Sequence, residues 1–313
     1  MTTAIFVRKI AKLKVDRSKG APAPHKAILL LSVIQAIEVG EIQENKIFIT
    51  PELVARFKDN WHMLVKNEMF NPNFSLPFYH LKSDGFWHLK TEPGREILLT
   101  SSNSIKSFAA LKNTVAYAYF DDEVYVFLMN AENRTLVKQT LLATYLNGQQ
   151  IEDRGYNLFQ DVERQILHES PVEYRETIAP FDEEDIFVRI GAFKRVVPKV
   201  YNYTCCISGM KIIANRDIQM IDACHIVPFA ETGNNSITNG LSLSPNIHRA
   251  FDRFLITINN RYEIVVSDHF TESASYSIRA FHGRKIYLPD DLQYHPSVDN
   301  LNWHFERFML LHK

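Results

Sequence analysis

Asp222–Asp252 reads DACHIVPFAETGNNSITNGLSLSPNIHRAFD, and the order of element signals in it decides the fold of the chain's second half. The apolar run IQMIDACHI (218–226) predicts a strand that delivers His225 near its end. A polar loop follows and closes on Asn239-Gly240, where a side-chain amide can pin backbone on both sides. The short helix predicted next carries His248 and Asp252 at i and i+4, so one face presents an imidazole and a carboxylate to the same ion. His225 has the basicity to deprotonate a water near neutral pH. Together these features point to metal-assisted phosphodiester chemistry.

Outward from this stretch, residues 186 to about 201 predict a helix, and YTCCISGM (203–210) a strand running into a turn. On the far side, FLITINNRYEIVVS (254–267) predicts a hairpin around Asn259-Asn260, and an amphipathic helix closes the chain from Leu301 to Leu311. Cysteine usage is sparse: Cys205, Cys206 and Cys224, with no C-x-x-C pair. That disfavours a zinc knuckle and predicts reduced thiols.

At 313 residues the chain has room for two cores. Its 46% hydrophobic and 23% charged residues are ordinary for a globular protein. No apolar run nears the roughly 20 residues a membrane span needs, and no secretory segment opens the chain, so a cytoplasmic protein is expected. The net charge of −1 argues against a protein that coats DNA. Its distribution is uneven: 13 Lys/Arg against 8 Asp/Glu in 1–90, 8 against 17 in 91–185, and 14 against 11 in 186–313. Two mildly basic segments flank an acidic middle, compatible with local nucleic-acid faces.

In the first half, residues 3–14 predict an amphipathic helix through Phe6, Ile10 and Leu13. The loop DRSKGAPAPHK (16–26) leads into a helix from His25 to Glu38 that is apolar nearly all round and therefore buried. A short strand is expected near Ile47–Ile49, and Thr50-Pro51-Glu52 starts another helix. LPFYHLKSDGFWHLK (76–90) reads as a hairpin turning at Ser83-Asp84-Gly85, and helices are expected over Asp121–Asn130 and Ala131–Leu146. Acidic, proline-containing 169–185 is the expected linker between domains 1–168 and 186–313.

The spacing H-x13-N-x8-H, with NGLSLSPNIHRAFDRFLITIN (239–259), resembles the HNH endonuclease family and its ββα-metal site. The resemblance implies His225 as general base, Asn239 as the residue that holds the loop and orients His225, and His248 as a metal ligand, with Asp252 as a further ligand. Many members place a ligand just before the base, where this chain has Cys224. Asp222 shares the strand face of Cys224 and is the favoured substitute, because Mg²⁺ prefers oxygen; a thiolate at Cys224 would suit a softer ion. One Mg²⁺ or Mn²⁺ per site is implied.

RSKGAPAPHKAILLL (17–31) and LPFYHL (76–81) resemble the sulfur-binding domain of phosphorothioate-dependent, type IV-like restriction endonucleases. In that family a shallow apolar cup receives the sulfur that replaces a backbone oxygen. By position, Pro77, Phe78 and Tyr79 would form the cup, while Arg17, His25, Lys26 and His80 would contact phosphates or base edges. Leu76 and His80 stand where the family often has an aromatic residue and an arginine. The expected fold is α+β: a mostly helical reader with a small β-hairpin or sheet, then a ββα-metal nuclease domain. The expected function is cleavage of modified double-stranded DNA, plausibly by a homodimer. The alternatives are an HNH nuclease that reads 5-methylcytosine or 5-hydroxymethylcytosine, and a non-cleaving DNA-binding module.

Overall fold

The computed structural model describes residues 3–95, 105, 107–149, 157–168, 182–214, 219–273 and 276–312. The chain forms two compact units, Met1–Phe159 with Asp182–Val188, and Gln160–Phe181 with Arg189–Lys313. Both are built from helices and small antiparallel two-stranded sheets. Among the described residues no helix is long and apolar enough to cross a membrane.

The first unit is organised around α2 (His25–Glu38), buried on nearly every side from Lys26 to Ile37. An all-apolar helix must be covered on every side, and it is packed against α3 (Pro51–Leu64), α4 (Ser75–His80) and α7 (Ala131–Tyr145). At about 1.5–3 kcal/mol for each fully buried aliphatic side chain, α2 is a large part of what holds the unit together. Thr50 caps α3 by accepting from the Leu53 amide at 3.2 Å, with Pro51 in the first turn. The amphipathic face of α1 (Thr3–Ile10) buries Phe6 edge-on against Phe86 and Phe127. Strands β1 (Trp87–Thr91) and β2 (Val115–Phe120) pair antiparallel, with Trp87 opposite Phe120. Helices α5 (Phe108–Thr114) and α6 (Asp122–Leu128) flank β2 in the chain.

Two local expectations give way here. The strand near Ile47–Ile49 is a single bridge from Ile47 to Ala118 of β2. The hairpin expected in 76–90 is instead α4, a 3₁₀ turn over Leu81–Asp84, and β1, whose partner is β2. Phe74, Phe78 and Leu81 lie four and three residues apart, the spacing of one helix face, and all three are buried. Gly85, at φ +75°, ends the turn. Of the expected linker, 169–181 lies outside the described residues. Its acidic end, however, starts α9 (Glu183–Val200), where carboxylates favour a helix N-terminus. Lys58 Nζ binds Asp182 and Asp185 there, at 2.9 and 2.5 Å.

In the second unit, α8 (Leu158–His168) and the rest of α9 precede β3 (Asp222–His225) and a short helix α10 (Phe229–Thr232). Strand β4 (Gly240–Leu243) pairs antiparallel with β3, setting His225 opposite Gly240, and α11 (Pro245–Asp252) follows at once. The expected hairpin is β5 (Ile256–Ile258) with β6 (Ile264–Val266), and the final helix α12 (Val298–Leu311) packs on β5. The strand expected in YTCCISGM is a series of turns. Its buried Cys206 instead donates its amide to Ser242 of β4 at 2.7 Å.

Candidate functional site

Alternation along β3 turns Asp222 and Cys224 toward α11. Asp222 Oδ2 lies 3.2 Å from His248 Nδ1, and Cys224 Sγ lies 3.8 Å from Asp252 Oδ1. The i, i+4 spacing on α11 brings Asp252 Oδ2 to 3.5 Å from His248 Nε2, so His248 has a carboxylate at each ring nitrogen. Ligand atoms of Cys224, His248 and Asp252 all lie within 4.8 Å of one another. Burial, reinforced by the Asp252 carboxylate, pushes the Cys224 thiol well above its ordinary range. It is therefore an uncharged thiol at neutral pH.

His225 stands on the other side of the same opening, a cavity of about 370 Å³ lined by Lys194, His225, Phe229, His248 and Asp252 among others. Its ring stacks on Phe193 of α9 at 4.0 Å and 7°, and its Nε2 lies 2.8 Å from Asn235 Oδ1. Burial lowers the His225 pKa from 6.5, against the opposing hydrogen bond to Asn235 Oδ1. The ring is neutral at pH 7 and able to accept a proton.

Asn239 is buried and spends its amide on backbone. Its Oδ1 accepts from Val227 N at 2.9 Å, and its Nδ2 donates to Val227 O and Asn234 O, both at 3.0 Å. It thus ties down the chain two residues after His225. The side chain that touches His225, however, is Asn235. Sequence reasoning passed over Asn235 and Phe193. Asn235 is one of three asparagines in the loop and lacks the glycine that marks Asn239, while Phe193 is one apolar residue in a helix 32 positions before His225.

The first unit holds a second cavity, about 560 Å³, whose lining includes Lys14, Lys19, His25, Leu76, Pro77 and His80. Leu76, Pro77 and His80 share one face of α4, which separates them from two expected partners. Phe78 is fully buried against Phe74 and Trp87, each 5.4 Å away, and its carbonyl accepts from Trp87 Nε1 at 2.9 Å. Tyr79 is also buried and lies under the Lys82 ammonium at 3.8 Å. Neither lines the cavity. Successive side chains on a helix point about 100° apart, so α4 divides Pro77–Tyr79 between core and cavity.

Lys26 reaches the cavity wall, but its ammonium is already committed. Nζ meets Asp84 Oδ2 at 2.6 Å, Lys14 O at 2.7 Å and Ser83 Oγ at 3.1 Å, with both charged side chains under 10% exposed. This pairing removes it as a free phosphate contact. His25 packs on Trp61 at 4.6 Å and places Nε2 3.0 Å from Asn71 O. Burial lowers the pKa of both His25 and His80. Arg17 is exposed on the turn closed by the Gly20 amide and is not part of the cavity lining.

Comparison with known proteins gives two family matches. Residues 205–259 match the HNH endonuclease family, and residues 3–154 match the ScoMcrA-like DNA sulfur-binding domain. No curated protein matches. Among solved structures, the modification-dependent TagI restriction endonuclease aligns at 17% identity over 37% of this chain and 36% of that one, TM-score 0.30. The chain thus spans about a third of TagI's length. The sulfur-binding domain of ScoMcrA complexed with phosphorothioated DNA aligns at 20% identity over 47% of this chain and 91% of that one, TM-score 0.35. Neither superposition is close, and the assignment rests on the two family matches: the chain joins an N-terminal domain of the ScoMcrA-like sulfur-binding family to a C-terminal domain of the HNH endonuclease family.

Proposed function

We propose that this chain is a modification-dependent DNA endonuclease that binds phosphorothioate-bearing double-stranded DNA and hydrolyses its phosphodiester bonds. The observation that carries the reading is the arrangement around the smaller cavity: a neutral, stacked His225 on one side, and His248 between two carboxylates on the other. His225 would take the proton of the attacking water. Asn239 holds the backbone on which His225 sits.

We assign one hard divalent ion, Mg²⁺ or Mn²⁺, to His248 Nε2 and Asp252, which one face of α11 brings together; Asp222 meets the opposite ring nitrogen of His248 and would orient that ring rather than share the ion. Cys224 is near enough, but its soft sulfur is a poor match for such an ion. A bound ion supplies Lewis-acid polarisation of the scissile phosphate and stabilises the leaving oxygen.

In the first unit, the face of Leu76 and Pro77 gives the larger cavity an apolar wall, and Lys14 and Lys19 bring cationic side chains to it. Sulfur is larger and more weakly hydrated than oxygen, so apolar contact discriminates for it. The residues proposed to read DNA are therefore His25, Pro77 and His80, with Arg17 beside them. A double-strand break takes two cutting events, so a homodimer is the proposed working form, acting on cytoplasmic DNA.

The test compares plasmids with and without phosphorothioate links, incubated with Mg²⁺ or Mn²⁺ and either the wild-type chain or His225→Ala. The expected result is cutting of the modified plasmid alone, by the wild type alone. Equal cutting of both plasmids would sink the modification dependence. Cutting only of hydroxymethylated DNA would move the reading to a modified base. Binding without cutting under either metal would leave a DNA-binding module.

A further inference from the structure

The loop between β3 and β4 holds a side chain that this mechanism leaves unused. Asn235 is fully buried, with its Oδ1 2.8 Å from His225 Nε2, and its Nδ2 has no hydrogen-bond partner among the described residues. A buried amide left half unsatisfied is costly, so its placement calls for a reason. The loop is built to present it. Asn239 Nδ2 holds the carbonyl of Asn234, and Asn234 Oδ1 accepts from the Ser236 amide at 2.8 Å, so backbone on both sides of Asn235 is fixed.

The His225 ring is thereby constrained twice. The stack on Phe193 sets its plane, and the bond to Asn235 sets its rotation within that plane. With the amide placed Oδ1 toward the ring, the oxygen accepts and Nε2 carries the ring proton. The lone pair then lies on Nδ1, which has no hydrogen-bond partner among the described residues.

We propose that Asn235 is a positioning residue for His225, fixing the Nε2–H tautomer and the ring's rotation so that Nδ1 is the atom that receives the proton of the attacking water. This rests on the reading of His225 as general base. In the step itself, the water O–H bond breaks as its oxygen bonds to phosphorus, and the proton goes to Nδ1. The P–O bond to the leaving oxygen breaks, its electron pair stays on that oxygen, and solvent later protonates it. Nε2–H stays bonded to Asn235 throughout, so no proton passes through the amide. Asn239 would then act on His225 at one remove, through the backbone that carries Asn235.

The experiment uses the full chain with ¹⁵N-labelled histidine, and assigns the His225 signals by their loss in His225→Ala. Long-range ¹H–¹⁵N spectra report the tautomer, and cleavage of phosphorothioate plasmid with Mn²⁺ gives kcat and KM. Wild type should show Nε2–H. Asn235→Leu, which fills the space without an acceptor, should give a mixture of tautomers. Its kcat should fall about 10- to 100-fold, the usual effect of removing an orienting partner, with KM little changed. Asn235→Asp, which restores an acceptor oxygen, should recover most of kcat and the Nε2–H signal. A wild-type Nδ1–H tautomer overturns the proposal, as does an Asn235→Leu variant with unaltered kcat. The wild-type spectrum decides even if Asn235→Leu does not fold. If the wild type cuts no DNA, the nuclease reading fails, while the tautomer comparison still decides what Asn235 does.

Discussion

His304 of α12 offers a measurable link between acidity and the integrity of α11. Its ring stacks on Phe251 at 3.7 Å and Phe254 at 4.6 Å. Nε2 lies 3.2 Å from the Phe251 carbonyl, which can only accept, so Nε2 carries the proton and Nδ1 accepts from the Thr257 hydroxyl at 2.8 Å. Burial lowers its pKa from 6.5 to about 4. Between those values the unfolded chain binds the proton and the folded chain does not, so stability falls as pH falls. The contribution is complete above about pH 6.5 and gone below about pH 4. At roughly 1.4 kcal/mol per pH unit the whole effect is about 3 kcal/mol, of which about 2 kcal/mol is lost by pH 5. His304→Gln keeps a donor and an acceptor without titrating. Hydrogen-exchange mass spectrometry on peptides covering α11 and α12 compares the two chains at pH 7.5 and pH 5. After correction for intrinsic exchange, wild-type protection should fall about 30-fold relative to His304→Gln, the equivalent of 2 kcal/mol. Equal changes in the two chains would refute a neutral, buried His304 as the source.

Two further perturbations probe the packing behind each cavity. A Cβ on Gly240 would lie 2.6 Å from Val197 Cγ2 and 3.2 Å from Phe193 Cζ. Gly240→Ala should therefore cost about 1–3 kcal/mol in urea unfolding and lower plasmid cleavage by disturbing the ring on which His225 stacks; unchanged stability and cleavage would contradict this packing. In the first unit, Lys26→Met strands the buried Asp84 carboxylate and should cost about 3–5 kcal/mol, with Lys26→Met/Asp84→Asn recovering part of the loss. If Lys26→Met weakens DNA binding at unaltered thermal stability, the lysine is a DNA contact after all.

What the chain's letters reveal depends on how local each interaction is. His225, Asn239 and His248 stand out in the sequence as candidates because strand, loop and helix follow one another within 31 residues. The pairing of Asp252 with His248 follows from helical spacing alone, and the approach of Asp222 to His248 from strand alternation with a short return. Asn235 and Phe193 are not legible in this way. Their contact with His225 depends on how a loop closes and on which turn of α9 meets the sheet, which no local period encodes. Residues 76–81 were open to misreading for a different reason. Aromatics favour strands, and six residues are too few to separate a period of 2 from one of 3.6 unless Phe74 and Leu81 are counted with them. Lys26 likewise sits where a phosphate ligand is expected, but its partner Asp84 is 58 residues away.

The three bonds of Asn239 also bear on how this protein can vary. They stitch Val227 to Asn234, so residues 228–233 form an excursion whose ends are held by a side chain rather than by the excursion's own length. Lengthening a closed loop is cheap, about 0.6 kcal/mol per doubling. Near Gly233, where φ is +64°, the chain can therefore gain residues while His225 keeps its place. That makes this short arc a practical seat for a fluorescent insert beside the cavity.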